Sequence, residues 1–154
     1  MKVMNFSWWV AYTVIAICVQ SFIPNWDALA PGFIIALQER NPWQTFWLFL
    51  VFTLIQEGAG GLGFGMAMLW YGGIIGIFHS SARFFVANNL LYMTLLSAGT
   101  ALYRGFLLWF MCALQDIHLD YSAFTKASLV QFVLIPFVWG LAYLLRPRLL
   151  RHAH

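Results

Sequence analysis

Long apolar runs broken by short polar punctuation divide the chain into six segments. The first runs from about Ser7 to Ile23 and stops at Pro24-Asn25-Trp26-Asp27, a strong turn signal. The second, about Pro31 to Gln38, opens with a proline suited to a first helical turn and is too short to cross a bilayer as a straight helix. A third covers about Pro42 to Gln56. The stretch LIQEGAGGLGFG separates it from a fourth, about Phe64 to Phe78. After the polar connector His79-Ser80-Ser81-Ala82-Arg83, the fifth runs from about Ala87 to Gln115, longer than the hydrocarbon core requires, so that it must tilt, kink or protrude. A polar loop, Asp116 to Lys126, precedes the sixth, about Ala127 to Leu145, and the tail after it is basic.

Composition decides what these segments are. With 62% hydrophobic and 8% charged residues, the chain departs far from soluble norms. Its 154 residues hold about six spans of roughly 20 residues each. The expected fold is all-α, a polytopic six-helix membrane bundle in a single domain over residues 1–154. The first run follows Lys2, but no small-x-small cleavage site ends it, so it reads as a retained helix rather than a signal peptide.

The net charge of +3 comes from basic residues spread along the chain, which excludes a nucleic-acid patch and leaves them as topology signals. Placing the loops alternately on two sides gathers Lys2, Arg40, Arg83, Arg146, Arg148 and Arg151 on one side and Lys126 alone on the other. By the positive-inside rule both termini are cytoplasmic. Cys18 and Cys112 fall inside apolar runs and make no disulfide framework or redox motif.

Candidate chemistry is sparse. An ionisable group at membrane depth costs at least a few kcal/mol unless it meets a partner or water, which singles out Glu57 and Arg104. Either they neutralise each other between the third and fifth segments, or Glu57 is an exposed loop acid and Arg104 snorkels along a tilted helix. Glycines supply the other signal. Gly61 with Gly65, and Gly72 with Gly76, are small-x-x-x-small steps that permit close helix approach, while Gly58 and Gly63 can take the positive φ of a tight turn. Gln56 stands beside Glu57 at the same junction. No metal set, cofactor motif or catalytic triad appears, and no enzyme is expected.

The order of these features resembles MreD, the rod-shape-determining membrane protein family of bacteria. The resemblance rests on the Pro24-x-x-Asp27 turn, on Ala30-Pro31-Gly32-Phe33, and on Leu54-Ile55-Gln56-Glu57-Gly58 followed by Leu62-Gly63, with Glu57 where the family usually has aspartate. The polar-basic connector ending near Arg83, the long fifth helix, and a final helix broken by Pro136 before a basic tail follow the same order. The resemblance implies a bundle like the S-component of energy-coupling-factor transporters, in the inner membrane. It also implies binding to the single-span protein MreC and a scaffold role in the cell-elongation complex that directs peptidoglycan synthesis. Two alternatives remain at this point. One is a vitamin-binding S-component with a pocket drawn from Trp70, Tyr71, Asn88, Asn89, Tyr92 and Arg104; the other is an accessory subunit of a larger membrane complex. Membrane lipid is a partner under all three.

Overall fold

The computed structural model describes residues 2–22, 26–59, 65–82, 90–115 and 121–145. All regular structure in them is helical: α1 (Lys2–Phe22), α2 (Leu29–Gln38), α3 (Pro42–Ala59), α4 (Met66–Ser81), α5 (Leu90–Gln115) and α6 (Tyr121–Leu145). Among the described residues one segment, Leu91–Leu114 within α5, is long and apolar enough by itself to cross a membrane.

The short second segment is the centre of the fold. Every residue of α2 from Leu29 to Leu37 is buried, as a helix apolar on all sides must be. It packs against α1, α3, α4 and α6, while α5 lies outside it between α4 and α6. Phe33, Ile34, Phe52, Tyr71, Ile74 and Ile135 form the heart of the core around it. Its C-terminal end is tied sideways, Trp139 Nε1 donating to Gln38 Oε1 at 2.9 Å.

The turn into α3 is built from local signals. Arg40 takes φ 53°, the left-handed conformation that ends a helix, and its N–H bonds Leu37 O. Asn41 then caps α3, its Oδ1 accepting from Gln44 N, and Pro42 occupies the first helical position, where a missing N–H costs nothing.

The helices differ from the sequence expectation in three instructive places. Helix α2 starts at Leu29 rather than Pro31, because Asp27 satisfies the two amides that precede the proline. Helix α6 starts at Tyr121, inside the expected polar loop; Tyr121–Lys126 holds no glycine or proline to break it. And α6 is not broken at Pro136: it runs through the proline as one helix. Of the expected small-residue steps, Gly61 lies outside the described residues, as does the turn glycine Gly63, and Gly72 and Gly76 face outward, with nothing within 4 Å of where a Cβ would stand. The close approaches occur elsewhere. A Cβ on Gly73 would overlap the Tyr103 ring and one on Gly32 the Tyr12 ring, so these two glycines set the α4–α5 and α1–α2 contacts.

Polarity runs inside out. Asp27, Ser97, Thr100 and Gln131 are buried. Large apolar side chains stand outside, among them Phe22, Trp43, Leu54, Leu102 and Leu144, each at least 69% exposed.

Candidate functional site

The turn between α1 and α2 delivers Asp27 to the middle of the bundle, at the N-terminus of the buried helix. A helix start leaves its first amides without intrahelical acceptors, and each one here is accounted for. Leu29 N and Ala30 N donate to Asp27 Oδ1 at 2.9 and 3.3 Å. Pro31 has no N–H. Gly32 N donates to Tyr12 Oη at 2.8 Å, and that hydroxyl donates in turn to Ala28 O, also at 2.8 Å. Tyr12 thus inserts its hydroxyl between the two groups that would otherwise form the first bond of the helix, and only glycine at position 32 leaves room for its ring.

Three side chains from two further helices complete the shell around the carboxylate. Gln56 Nε2 of α3 donates to Oδ1 at 2.8 Å. Trp70 Nε1 of α4 donates to Oδ2 at 2.7 Å, and Tyr71 Oη lies 3.0 Å from Oδ2 and 3.2 Å from Oδ1. A carboxylate has about four lone-pair sites, and five protein donors share them. The positive end of the α2 dipole adds to their effect.

A second layer connects α5 and α6. Gln131 Oε1 accepts both Asp27 N at 3.2 Å and an Arg104 guanidinium N–H at 3.0 Å. Both contacts are donors, which fixes the amide oxygen on that side and leaves the buried Nε2 without a hydrogen-bond partner. The Arg104 guanidinium carbon also lies 5.6 Å from the centre of the Trp70 ring, within cation–π range. On α4 and α5 the Trp70 and Tyr103 rings stack at 6.0 Å, and Tyr103 Oη donates to Leu69 O at 2.9 Å. Asp27, Gln56, Trp70, Tyr71, Arg104 and Gln131 therefore form one polar node to which α3, α4, α5 and α6 each contribute, at the mouth of α2.

The sequence candidates distribute unevenly over this geometry. Gln56, Trp70, Tyr71 and Arg104 converge on the node. Glu57 does not pair with Arg104: its carboxylate turns the other way and takes Gly65 N–H at 2.8 Å. That bond closes the α3–α4 connection, and Gly65 there has φ +90°, a conformation an L side chain adopts only at a cost. Gly58 is exposed, with open space where a Cβ would be. Tyr92 is buried at the opposite end of α4, where its hydroxyl meets Ser81 Oγ at 3.0 Å, so it shares no pocket with Trp70 and Tyr71. Asn88 and Asn89 lie outside the described residues.

Asp27 and Gln131 were not among the sequence candidates. For Asp27 a signal existed, an acidic residue just ahead of a Pro-initiated helix, which is the residue type that satisfies first-turn amides. Gln131, one amide in a long apolar run, carries no such mark. Among the described residues no group of three or more metal-ligating side chains comes together. No protein family, curated protein or solved structure matches the chain in comparisons.

Proposed function

We propose that the chain is a polytopic protein of the bacterial inner membrane with six spans and cytoplasmic termini, and that it is a non-enzymatic scaffold of the MreD type in the cell-elongation machinery. The observation that carries this reading is the inside-out polarity. Charged and amide groups from five connected elements are spent on one another at the centre, and α1, α3, α4, α5 and α6 all turn large apolar side chains outward. Soluble domains rarely expose such contiguous apolar surface; lipid and neighbouring spans are the partners that cover it. Apart from Gln131 Nε2, the polar side-chain groups of the node serve one another, which favours a chain that offers surfaces over one with a reacting centre. An MreC-like single-span protein is the partner that the sequence resemblance implies.

A second reading, a small-molecule carrier of the S-component type, is favoured by one observation: Trp70, Tyr71 and Arg104 do converge beneath a buried centre. Their polar groups, however, already serve Asp27 and Gln131. Depletion of the protein in a rod-shaped bacterium separates the two. Loss of rod shape, with co-purification of a single-span coiled-coil partner, is expected for the scaffold. Rod-shaped cells that lose uptake of a vitamin would overturn it.

A further inference from the structure

Between α1 and α3 runs an open apolar groove of about 580 Å³, lined on one side by Phe6, Trp9, Val10 and Val14 and on the other by Trp47 and Leu48. Trp9 and Leu48 are buried in its floor, and Phe6, Val10, Val14 and Trp47 stand exposed at its lips. We propose that this groove seats the acyl chain of an anionic phospholipid of the cytoplasmic leaflet. The proposal rests on the membrane reading above and goes beyond it by naming a bound lipid and its place.

Three features select this occupant. The first is size. Val14 stands eight positions beyond Phe6, about 12 Å along a helix, less than half of a hydrocarbon core of roughly 30 Å. The groove therefore belongs to one leaflet and is too short for a spanning helix to lie along. At roughly 30 Å³ for a water-sized group, its volume takes about nineteen such groups, the bulk of one fatty chain.

The second is chemistry. The Thr13 hydroxyl donates to Trp9 O on its own helix at 2.8 Å, and the Gln44 amide donates to Glu39. With these donors engaged elsewhere, the lining offers the groove mostly hydrocarbon, which suits a chain better than a polar ligand. The third is charge at one end. Phe6 and Gln44 mark the end where α1 and α3 begin, one turn from Lys2 and from the exposed Arg40, respectively. The positive-inside rule puts both on the cytoplasmic face. The Glu39 carboxylate, the acid nearest to them in sequence, is occupied by Gln44. A phosphate-bearing headgroup at that rim meets the exposed Arg40 while its chain enters the groove. Zwitterionic lipid has the same chain and gains less at the rim.

The test uses the full chain purified in detergent and analysed by native mass spectrometry after adding phosphatidylglycerol or phosphatidylcholine with matched acyl chains. Wild type is expected to hold one phosphatidylglycerol more tightly than phosphatidylcholine. Val14→Trp, which fills the groove from an exposed position, is expected to lower retention of both lipids at least tenfold. Leu102→Trp, the same bulk added on the outer face of α5, should leave retention unchanged. Arg40→Gln is expected to cut the preference for phosphatidylglycerol roughly fivefold, the worth of one basic residue near an anionic surface. Retention indifferent to Val14→Trp overturns the site, as does a lipid preference untouched by Arg40→Gln. A dimer that Val14→Trp abolishes overturns it in favour of a second copy of the chain. Alkaline carbonate extraction keeps the two readings apart. A chain washed off membranes sinks the membrane reading itself, whereas a retained chain with indifferent variants sinks only the lipid site.

Discussion

Replacing Asp27 probes the node most directly, because one side chain serves five donors. In Asp27→Ala, Trp70 Nε1, Gln56 Nε2, Tyr71 Oη and the amides of Leu29 and Ala30 lose their acceptor together, and Arg104 loses an opposite charge with which it interacts favourably through space. A buried donor left dry costs about 1–3 kcal/mol. Relaxation prevents five such costs from adding in full, so the loss should resemble that of breaking a buried ion pair, about 3–5 kcal/mol. Asp27→Asn is the sharper variant. Its remaining oxygen can hold the α2 amides and Gln56, but its new NH₂ then faces the Trp70 indole N–H, donor against donor. At least one dry donor results, with a loss of about 2 kcal/mol. Tyr71→Phe removes a single donor from a carboxylate that keeps four others, and should cost about 1 kcal/mol.

The assay is reversible unfolding in mixed micelles of mild detergent and dodecyl sulfate, followed by far-ultraviolet circular dichroism. Helix content is the readout because eight tryptophans blur a fluorescence signal. The expected order of loss is Asp27→Ala, then Asp27→Asn, then Tyr71→Phe. An Asp27→Asn protein within 0.5 kcal/mol of wild type would refute the account, since an amide that substitutes freely means that Oδ2 is not the acceptor of a fixed indole N–H.

Other substitutions test separate joints. Gly73→Ala should destabilise by about 1–3 kcal/mol in the same assay, since its methyl overlaps the Tyr103 ring and displaces it. Gly72→Ala, one residue away on an outward face, should be neutral or stabilise by up to about 1 kcal/mol through helix propensity. Gly65→Ala, forced into a left-handed conformation, should cost about 1–2 kcal/mol. Combining Glu57→Ala with Arg104→Ala should give additive losses within about 0.5 kcal/mol, because the two groups serve different partners. Asp27→Asn with Arg104→Gln should couple by about 0.5–3 kcal/mol through Gln131; an additive result there would remove the second layer of the node.

Local punctuation was legible in the sequence and long-range pairing was not. Pro31, Asn41-Pro42 and the glycines before Met66 mark helix ends by backbone rules that operate within a few residues, and each marks an end in the structure to within a few positions. The shortness of the second segment was equally plain. The node depends instead on partners 29, 43, 44 and 104 residues from Asp27, and no spacing rule reaches that far. The glycine assignment failed for a related reason. Successive residues on a helix point about 100° apart, so Gly72 and Gly73 can be told apart only once the rotation of α4 against α5 is known. Charge singled out Glu57 and Arg104 in the sequence as groups in need of partners, yet charge alone could not say that an amide N–H and a glutamine oxygen would meet them.

The short helix also explains why its flanking motif takes the form it does. An apolar helix that begins inside a core exposes its first amides where no water can satisfy them, and each buried unsatisfied donor costs about 1–3 kcal/mol. Asp27 meets two of those amides. Pro31 removes the third, and Gly32 admits the Tyr12 ring whose hydroxyl takes the fourth. Asp27 and the sequence Ala30-Pro31-Gly32-Phe33 are thus a single device for starting a helix inside a bundle. On this reasoning Gly32→Ala and Asp27→Ala disable the same helix start from opposite sides, so their combined cost should fall short of the sum. A fully additive pair would show that Tyr12 and Asp27 support α2 independently.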